Sequence, residues 1–94
     1  MRTRSITRYR RQSRVQRQAS ERLAASLSHD QRRIIELAAA DYAPGEIARE
    51  LALETEFVSS FMTSLSQRLT QQGLIPSSES RHLLHWATSM RLIN

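Results

Sequence analysis

The 94-residue sequence contains no cysteine and no lysine, and it has only two glycines and two prolines. Without cysteine, disulfides and thiolate metal sites are excluded, which fits a reducing compartment. The scarcity of glycine and proline favours helices over a turn-rich β architecture. No stretch approaches the ~20 apolar residues of a membrane span, and the N-terminus lacks the apolar core of a signal peptide. These absences predict a soluble, cytoplasmic, all-α protein with a single core and no membrane contact.

Charge is distributed unevenly along the chain. Residues 1–26 contain eight arginines and one acid, a net charge of +7, whereas residues 27–94 contain six arginines and eight acids, a net charge of −2. A basic segment in front of a mildly acidic domain is typical of a polyanion-binding arm. Arginine also offers a planar fork for phosphate and guanine edges, although codon bias explains the absence of lysine better.

Two regions follow from this division. Residues 1–26 are predicted to be an Arg-rich N-terminal arm that is partly helical from about residue 13, and residues 27–94 are predicted to form a helical domain. Within the arm, Val15, Ala19 and Leu23 recur every four residues and lead to Leu27. This spacing predicts one weakly apolar helix face that can dock on the domain.

Four helices are expected in the domain. The first begins at Ser28, which forms a capping box with Gln31, and its buried face is expected to extend to Tyr42. The second opens at Pro44, because proline suits the first position of a helix. Thr55 is expected to cap the third helix, at about 55–70, after a short connection in which Leu53 is the buried plug. The fourth is expected at about 78–90.

The apolar pattern of this region resembles the LuxR/GerE-type helix-turn-helix domain. The matching residues, in order, are Leu27-Ser28, Ile34-Ile35-x-Leu37, Glu46-Ile47-Ala48-x-x-Leu51-x-Leu53, Val58, Leu65, Arg68-Leu69, Gly73-Leu74, Trp86-Ala87 and Leu92-Ile93. The resemblance covers about residues 27–93. It implies a four-helix DNA-binding domain of a bacterial transcription regulator, with its third helix in the major groove. It also implies dimer contacts through the fourth helix, here Leu83, Trp86, Ala87 and Met90.

The sequence departs from that family at the positions that touch DNA. The family tends to have a basic residue at the position of Ser59 and often at that of Thr63, and commonly Thr and His at those of Phe57 and Phe61. Between residues 46 and 63 this chain has only Arg49 against four glutamates, a net charge of −3. Such a surface lacks the cations that normally supply much of the affinity for DNA.

The leading prediction is a small transcription regulator that binds double-stranded DNA, as a homodimer. Phosphate or groove contacts are expected from Arg4, Arg8, Arg10, Arg11, Arg14 and Arg17 of the arm. Base-side contacts are expected from Ser59, Ser60, Thr63 and Gln67, with Arg49 and Arg68 at the flanks. The null hypothesis for the four polar residues is a plain solvated helix face.

The alternative is a degenerate helix-turn-helix that acts as a protein-interaction module, such as an adaptor or anti-activator of another transcription regulator. Its contact surface would be Phe57, Phe61 and Met62 beside the acids at 46–56, unless the two phenylalanines pack in the core against the N-terminal helix. No enzyme, cofactor or metal site is expected. His82 and His85 have a spacing suited to a metal, but the sequence offers no third ligand.

Overall fold

The structure is a computed structural model, which describes the backbone of residues 2–93 and the side chains of residues 14–93. The described part of the chain is all-α, as predicted. Its helices are α1 (Arg2–Ser26), α2 (His29–Ala39), α3 (Pro44–Leu51), α4 (Thr55–Gln71) and α5 (Ser80–Ser89). Helices α2 to α5 correspond, in order, to the four helices predicted for the domain. None of the described helices is long and apolar enough to cross a membrane.

Helix α1 is longer than predicted, since it begins at Arg2 and not near residue 13. The prediction depended on apolar residues, which are sparse before Val15. The segment contains no glycine or proline, and arginine and glutamine both have high helix propensity. Backbone propensity therefore continues the helix beyond the part that has an apolar face.

The face of α1 that docks on the rest of the chain also differs from the prediction. Ser20, Leu23 and Ala24 are buried, Ala19 is half-buried, and Val15 is 64% exposed. A step of four residues turns a helix by about 400°, so a four-residue repeat drifts by about 40° per step. Val15, two such steps before Leu23, therefore lies about 80° away from the docked face.

The starts of α2 and α3 agree with the predictions made from the sequence, whereas the start of α4 does not. The Ser28 hydroxyl oxygen accepts a hydrogen bond from the Gln31 backbone N–H at 3.1 Å, and the Gln31 side chain accepts one from the Ser28 N–H at 2.8 Å. Pro44 is the first residue of α3. Thr55, however, is already helical, and no side chain caps α4 at the preceding residue, Glu54. The predicted Thr55 cap is therefore wrong.

Helices α2 to α5 all end in a Schellman turn, in which a left-handed residue is followed by an apolar one. The left-handed residues are Asp41 (φ 68°), Ala52 (φ 56°), Gly73 (φ 71°) and Arg91 (φ 60°). The N–H of the next residue bonds back across the turn, from Tyr42 to Leu37, Leu53 to Ala48, Leu74 to Leu69 and Leu92 to Ala87. Since α2 already ends at Ala39, Tyr42 is not on its buried face as predicted, and it is 40% exposed.

Two apolar clusters form the core, and α2 and α4 contribute to both. The first joins α1 and α5 to the C-terminal half of α4 through Leu23, Ala24, Ile35, Leu65, Leu69, Ile75, Leu83, Trp86 and Ala87. The second joins α3 to the N-terminal half of α4 through Ile34, Leu37, Ile47, Ala48 and Val58. The core thus begins inside the segment that was predicted to be an arm.

Candidate nucleic-acid and protein contact surfaces

The side of α4 that faces away from the core presents a row of uncharged polar side chains. Val58, Leu65 and Leu69 are buried, so the residues on the opposite side of the helix face solvent. The exposed residues of this polar row are Ser59, Ser60, Thr63 and Gln67, all of which were predicted to contact bases. Their hydroxyl and amide groups can both donate and accept hydrogen bonds, as recognition of base edges or phosphates requires.

Four of the acidic residues lie on α3, in the turn after it and in the first turn of α4. Glu46 and Glu50 on α3, Glu54 in the turn and Glu56 in the first turn of α4 are all exposed. Arg49, predicted to flank the DNA-reading surface, is exposed among them. Among the residues whose side chains are described, none of these four glutamates forms an ion pair. This end of α4 therefore repels phosphates.

Helix α1 runs antiparallel to α4 and is attached to the C-terminal half of it. The Gln16 side-chain N–H donates to the Gly73 carbonyl oxygen at 3.2 Å, beyond the end of α4. Further along α1, the buried Trp86 indole N–H donates to the Ser20 hydroxyl at 3.0 Å. Leu23 and Leu27 then lie near Phe61 at the middle of α4. The N-terminal part of α1 consequently extends past the C-terminal end of α4, away from Glu54 and Glu56.

The arginines of α1 are available for contacts wherever their side chains are described. Arg14, Arg17 and Arg22 are exposed, and within the described residues none of them forms an ion pair. The side chains of Arg4, Arg8, Arg10 and Arg11 lie outside the described residues.

Arg22 shares a groove with Arg68 of α4. The groove has a volume of about 320 Å³, and its other lining residues are Ala19, Leu23, Ser26 and Gln72. Arg68 was predicted as a DNA contact and Arg22 was not. The sequence could not have linked them, because their proximity depends on the antiparallel packing of α1 against α4.

The three residues proposed for protein contact divide between core and surface. Phe61 and Met62 are half-buried and pack against both clusters. Phe57 is 50% exposed, because α1 covers only the C-terminal half of α4. Phe61 therefore packs in the core, whereas Phe57 is exposed and available for a contact.

The residues expected at a dimer contact on α5 lie in the core of the chain itself. Leu83, Trp86 and Ala87 are 1%, 4% and 0% exposed, and Met90 is half-buried against the same cluster. The first three side chains are thus inaccessible to a second copy unless α5 leaves the core.

In the described part of the chain, the histidines are not grouped with other side chains that could bind a metal ion. His82 Nε2 is 3.9 Å from a Glu79 carboxylate oxygen, while His85 and His29 are exposed. In the part of the chain that the structure describes, no three His, Cys, Asp or Glu side chains are grouped closely enough to hold a metal ion.

Comparison with known protein families, curated proteins and solved structures finds no match to this chain.

Proposed function

We propose that this chain is a bacterial, cytoplasmic transcription regulator that binds double-stranded DNA. In this proposal α2 to α5 form a LuxR/GerE-like four-helix helix-turn-helix domain, α4 is the DNA-reading helix, and α1 supplies the phosphate contacts. The observation that carries the proposal is the attachment of a basic helix beside α4. Ser20 and Gln16 fix α1 at two points, so its exposed arginines have a defined position relative to the polar row.

The connection between α3 and α4 supports the helix-turn-helix assignment. It consists of three residues, Ala52 to Glu54, and its central residue Leu53 packs against the second core cluster. A turn of three or four residues between two helices is the usual geometry of this motif. The exposed polar row on the second of the two helices is where such a motif contacts base edges.

The distribution of charge indicates which part of α4 approaches DNA. Recognition helices commonly use their N-terminal residues, but here that end is surrounded by glutamates. Thr63 and Gln67 lie further along α4 than Glu56, where they share a groove with Ser78 and Ser80 at the start of α5. We therefore expect Thr63 and Gln67 to contribute more to base contacts than Ser59 and Ser60.

The phosphate contacts are tested by measuring DNA affinity of the full chain across a salt series. The slope of log K against log salt is about −0.9 per phosphate contact on duplex DNA. The variant Arg14→Gln/Arg17→Gln should therefore have a slope that is shallower by about 2. The matched control is Arg33→Gln/Arg81→Gln, which removes the same charge from residues that are already paired with Glu36 and Glu79. Equal slopes for both variants would contradict a role for α1.

Base reading by α4 requires a separate measurement. A preferred duplex is first selected from a random pool with the full chain, and its affinity is then compared with that of a scrambled duplex. Thr63→Ala and Gln67→Ala should each reduce this preference by about 1 kcal/mol or more, as loss of a base contact does. An unchanged preference in both variants would refute reading by this part of α4.

A second candidate function is that of a protein-interaction module whose partner is another transcription regulator. The exposure of Phe57 beside Glu54 and Glu56 favours it, because a large apolar side chain in a charged rim is typical of a contact site. Absence of any salt-dependent DNA binding by the full chain, together with loss of a captured partner on Phe57→Ala, would favour this function over the first.

A further inference from the structure

A second stripe runs along α4 beside the polar row. Phe57, Phe61, Ser64 and Arg68 are separated by four, three and four residues, the spacing of the contact positions of a coiled coil. At ~100° per residue these four positions lie within about 60° of one another. Phe57, Ser64 and Arg68 are exposed and Phe61 is half-buried. One side of α4 therefore has a helix-pairing pattern that its own chain leaves uncovered at Phe57.

The stripe borders a groove between α1 and α4 that has both apolar and polar lining residues. The groove has a volume of about 260 Å³, and its apolar floor is formed by Leu23, Leu27 and Leu65. Its rim includes Ser64 and Arg68. The leucines of the groove can accept an apolar side chain inside a polar rim, and Phe57 is an exposed apolar side chain on the same helix.

We infer that two copies of this chain self-associate by antiparallel pairing of their α4 helices. A two-fold axis midway between Phe61 and Ser64 places Phe57 of each copy level with Arg68 of the other, and Phe61 level with Ser64. Each Phe57 then enters the groove of the other copy. The same surface serves both copies, as a closed two-fold dimer requires.

Charge complementarity selects both the partner and the direction of pairing. Glu54 lies at one end of the stripe, and Arg68 with Arg22 lies at the other. Within the described residues none of these three forms an ion pair. Antiparallel pairing brings each Glu54 to the arginine end of the other copy, and each Arg68 guanidinium over a Phe57 ring, a cation–π arrangement. Parallel pairing would instead oppose Arg68 to Arg68.

This contact differs from the proposed DNA contact. Its stripe contains none of the polar row and neither Arg14 nor Arg17 of α1, although it does include Arg68, one of the predicted flanking DNA contacts. Because the two α4 helices are antiparallel, the two α1 helices extend from opposite ends of the dimer. The contact also replaces the one expected on α5, whose inner face is occupied by the core.

The test is the dimerisation constant of the full chain, measured by sedimentation equilibrium without DNA. Arg68→Glu and Glu54→Arg should each weaken dimerisation by about tenfold or more, since each opposes like charges twice. An equimolar mixture of the two variants should form a heterodimer within about threefold of the original affinity. Arg81→Glu and Glu21→Arg are the matched controls, because they make the same charge changes on exposed residues outside the stripe and should leave the constant unchanged.

Phe57→Ala provides an uncharged second test. It should also weaken dimerisation by about tenfold or more while circular dichroism shows a folded chain, and Tyr42→Ala, the control at another exposed aromatic, should not. A chain that stays monomeric at millimolar concentration would overturn the inference. So would a mixture of Arg68→Glu and Glu54→Arg that fails to associate, or a dimer that is insensitive to Phe57. If Arg14→Gln/Arg17→Gln reduces DNA binding and leaves dimerisation unchanged, the test of dimerisation is distinct from the test of the proposed function.

Discussion

At three of the four left-handed positions that end the helices, the residue present disfavours the positive φ that it adopts. Only Gly73 among them is glycine, while Asp41, Ala52 and Arg91 have side chains at positive φ. A left-handed residue with a Cβ costs about 1 kcal/mol, and glycine removes most of that cost. Ala52 is the most informative of these positions, because it joins the two helices of the proposed DNA-binding motif.

Ala52→Gly should therefore stabilise the chain by roughly 0.5–1 kcal/mol, after allowing for the greater freedom of glycine in the unfolded state. Urea unfolding followed by circular dichroism measures the change. Ala40→Gly is the control, because Ala40 also follows a helix but has a φ of −89°. If Ala52→Gly gains nothing over Ala40→Gly, the left-handed conformation of Ala52 is wrong.

The hydrogen bond between Trp86 and Ser20 is the other single contact with a large expected effect. It is buried, with an N···O distance of 3.0 Å, and it joins α5 to α1. Ser20→Ala leaves the indole N–H without its partner, which should cost about 1–3 kcal/mol in the free energy of unfolding. The fluorescence of Trp86, the only tryptophan, reports the transition. Ser60→Ala, at an exposed serine, should change the same free energy by less than about 0.5 kcal/mol; a comparable loss in both variants would contradict the buried contact.

At the scale of the helices, the features that depend on residues close in sequence were predicted correctly. The Ser28 capping box and the first position of Pro44 depend on neighbours within a few residues, and both predictions are confirmed. The predicted burial of Tyr42 and the Thr55 cap failed because each depended on where a turn begins, which tertiary packing decides. The prediction that Val15 lies on the docked face of α1 was wrong because a four-residue repeat drifts around the helix.

The last turns of α1 belong to the core, although the sequence predicted residues 1–26 as an arm that only docks on the domain. A chain that begins at residue 27 would lack Leu23 and Ala24 of the first cluster and Ser20 beside Trp86. We expect this truncation to lower the free energy of unfolding by several kcal/mol, since removing even one large core side chain costs about 2–5 kcal/mol. A chain that begins at residue 13 keeps all of these contacts and should unfold at nearly the original temperature. Thermal unfolding of both truncations decides the point, and equal stability would show that α1 does not belong to the core.

For the whole molecule, the decisive feature is the separation of charge along α4. Glu54 and Glu56 lie at the N-terminal end of α4, whereas Arg22 lies beside Arg68 and the helix runs on toward Arg17 and Arg14 near the opposite end of α4. The sequence predicted the existence of a basic segment and an acidic domain, because net charge can be counted along the chain. It did not predict their relative positions, since these depend on the antiparallel packing of α1 and on the groove shared by Arg22 and Arg68.

The DNA binding proposed above would have a preferred orientation. A duplex that contacts α1 meets the C-terminal half of α4 first and remains away from Glu54 and Glu56. In that proposal, the long-range field of the molecule would favour one orientation on DNA, an effect that salt weakens.

The most direct test is to map the contact surface by NMR, titrating a short DNA duplex into the ¹⁵N-labelled full chain. We expect the largest changes in chemical shift along α1 from Arg14 to Arg22 and on α4 at Thr63 and Gln67, with small changes in the buried part of α5 around Trp86. Arg14→Gln/Arg17→Gln should reduce the changes on both helices together. Changes confined to the acidic turn around Glu54, or none on either α1 or α4, would contradict the proposal that this chain binds DNA through a basic helix fixed beside α4.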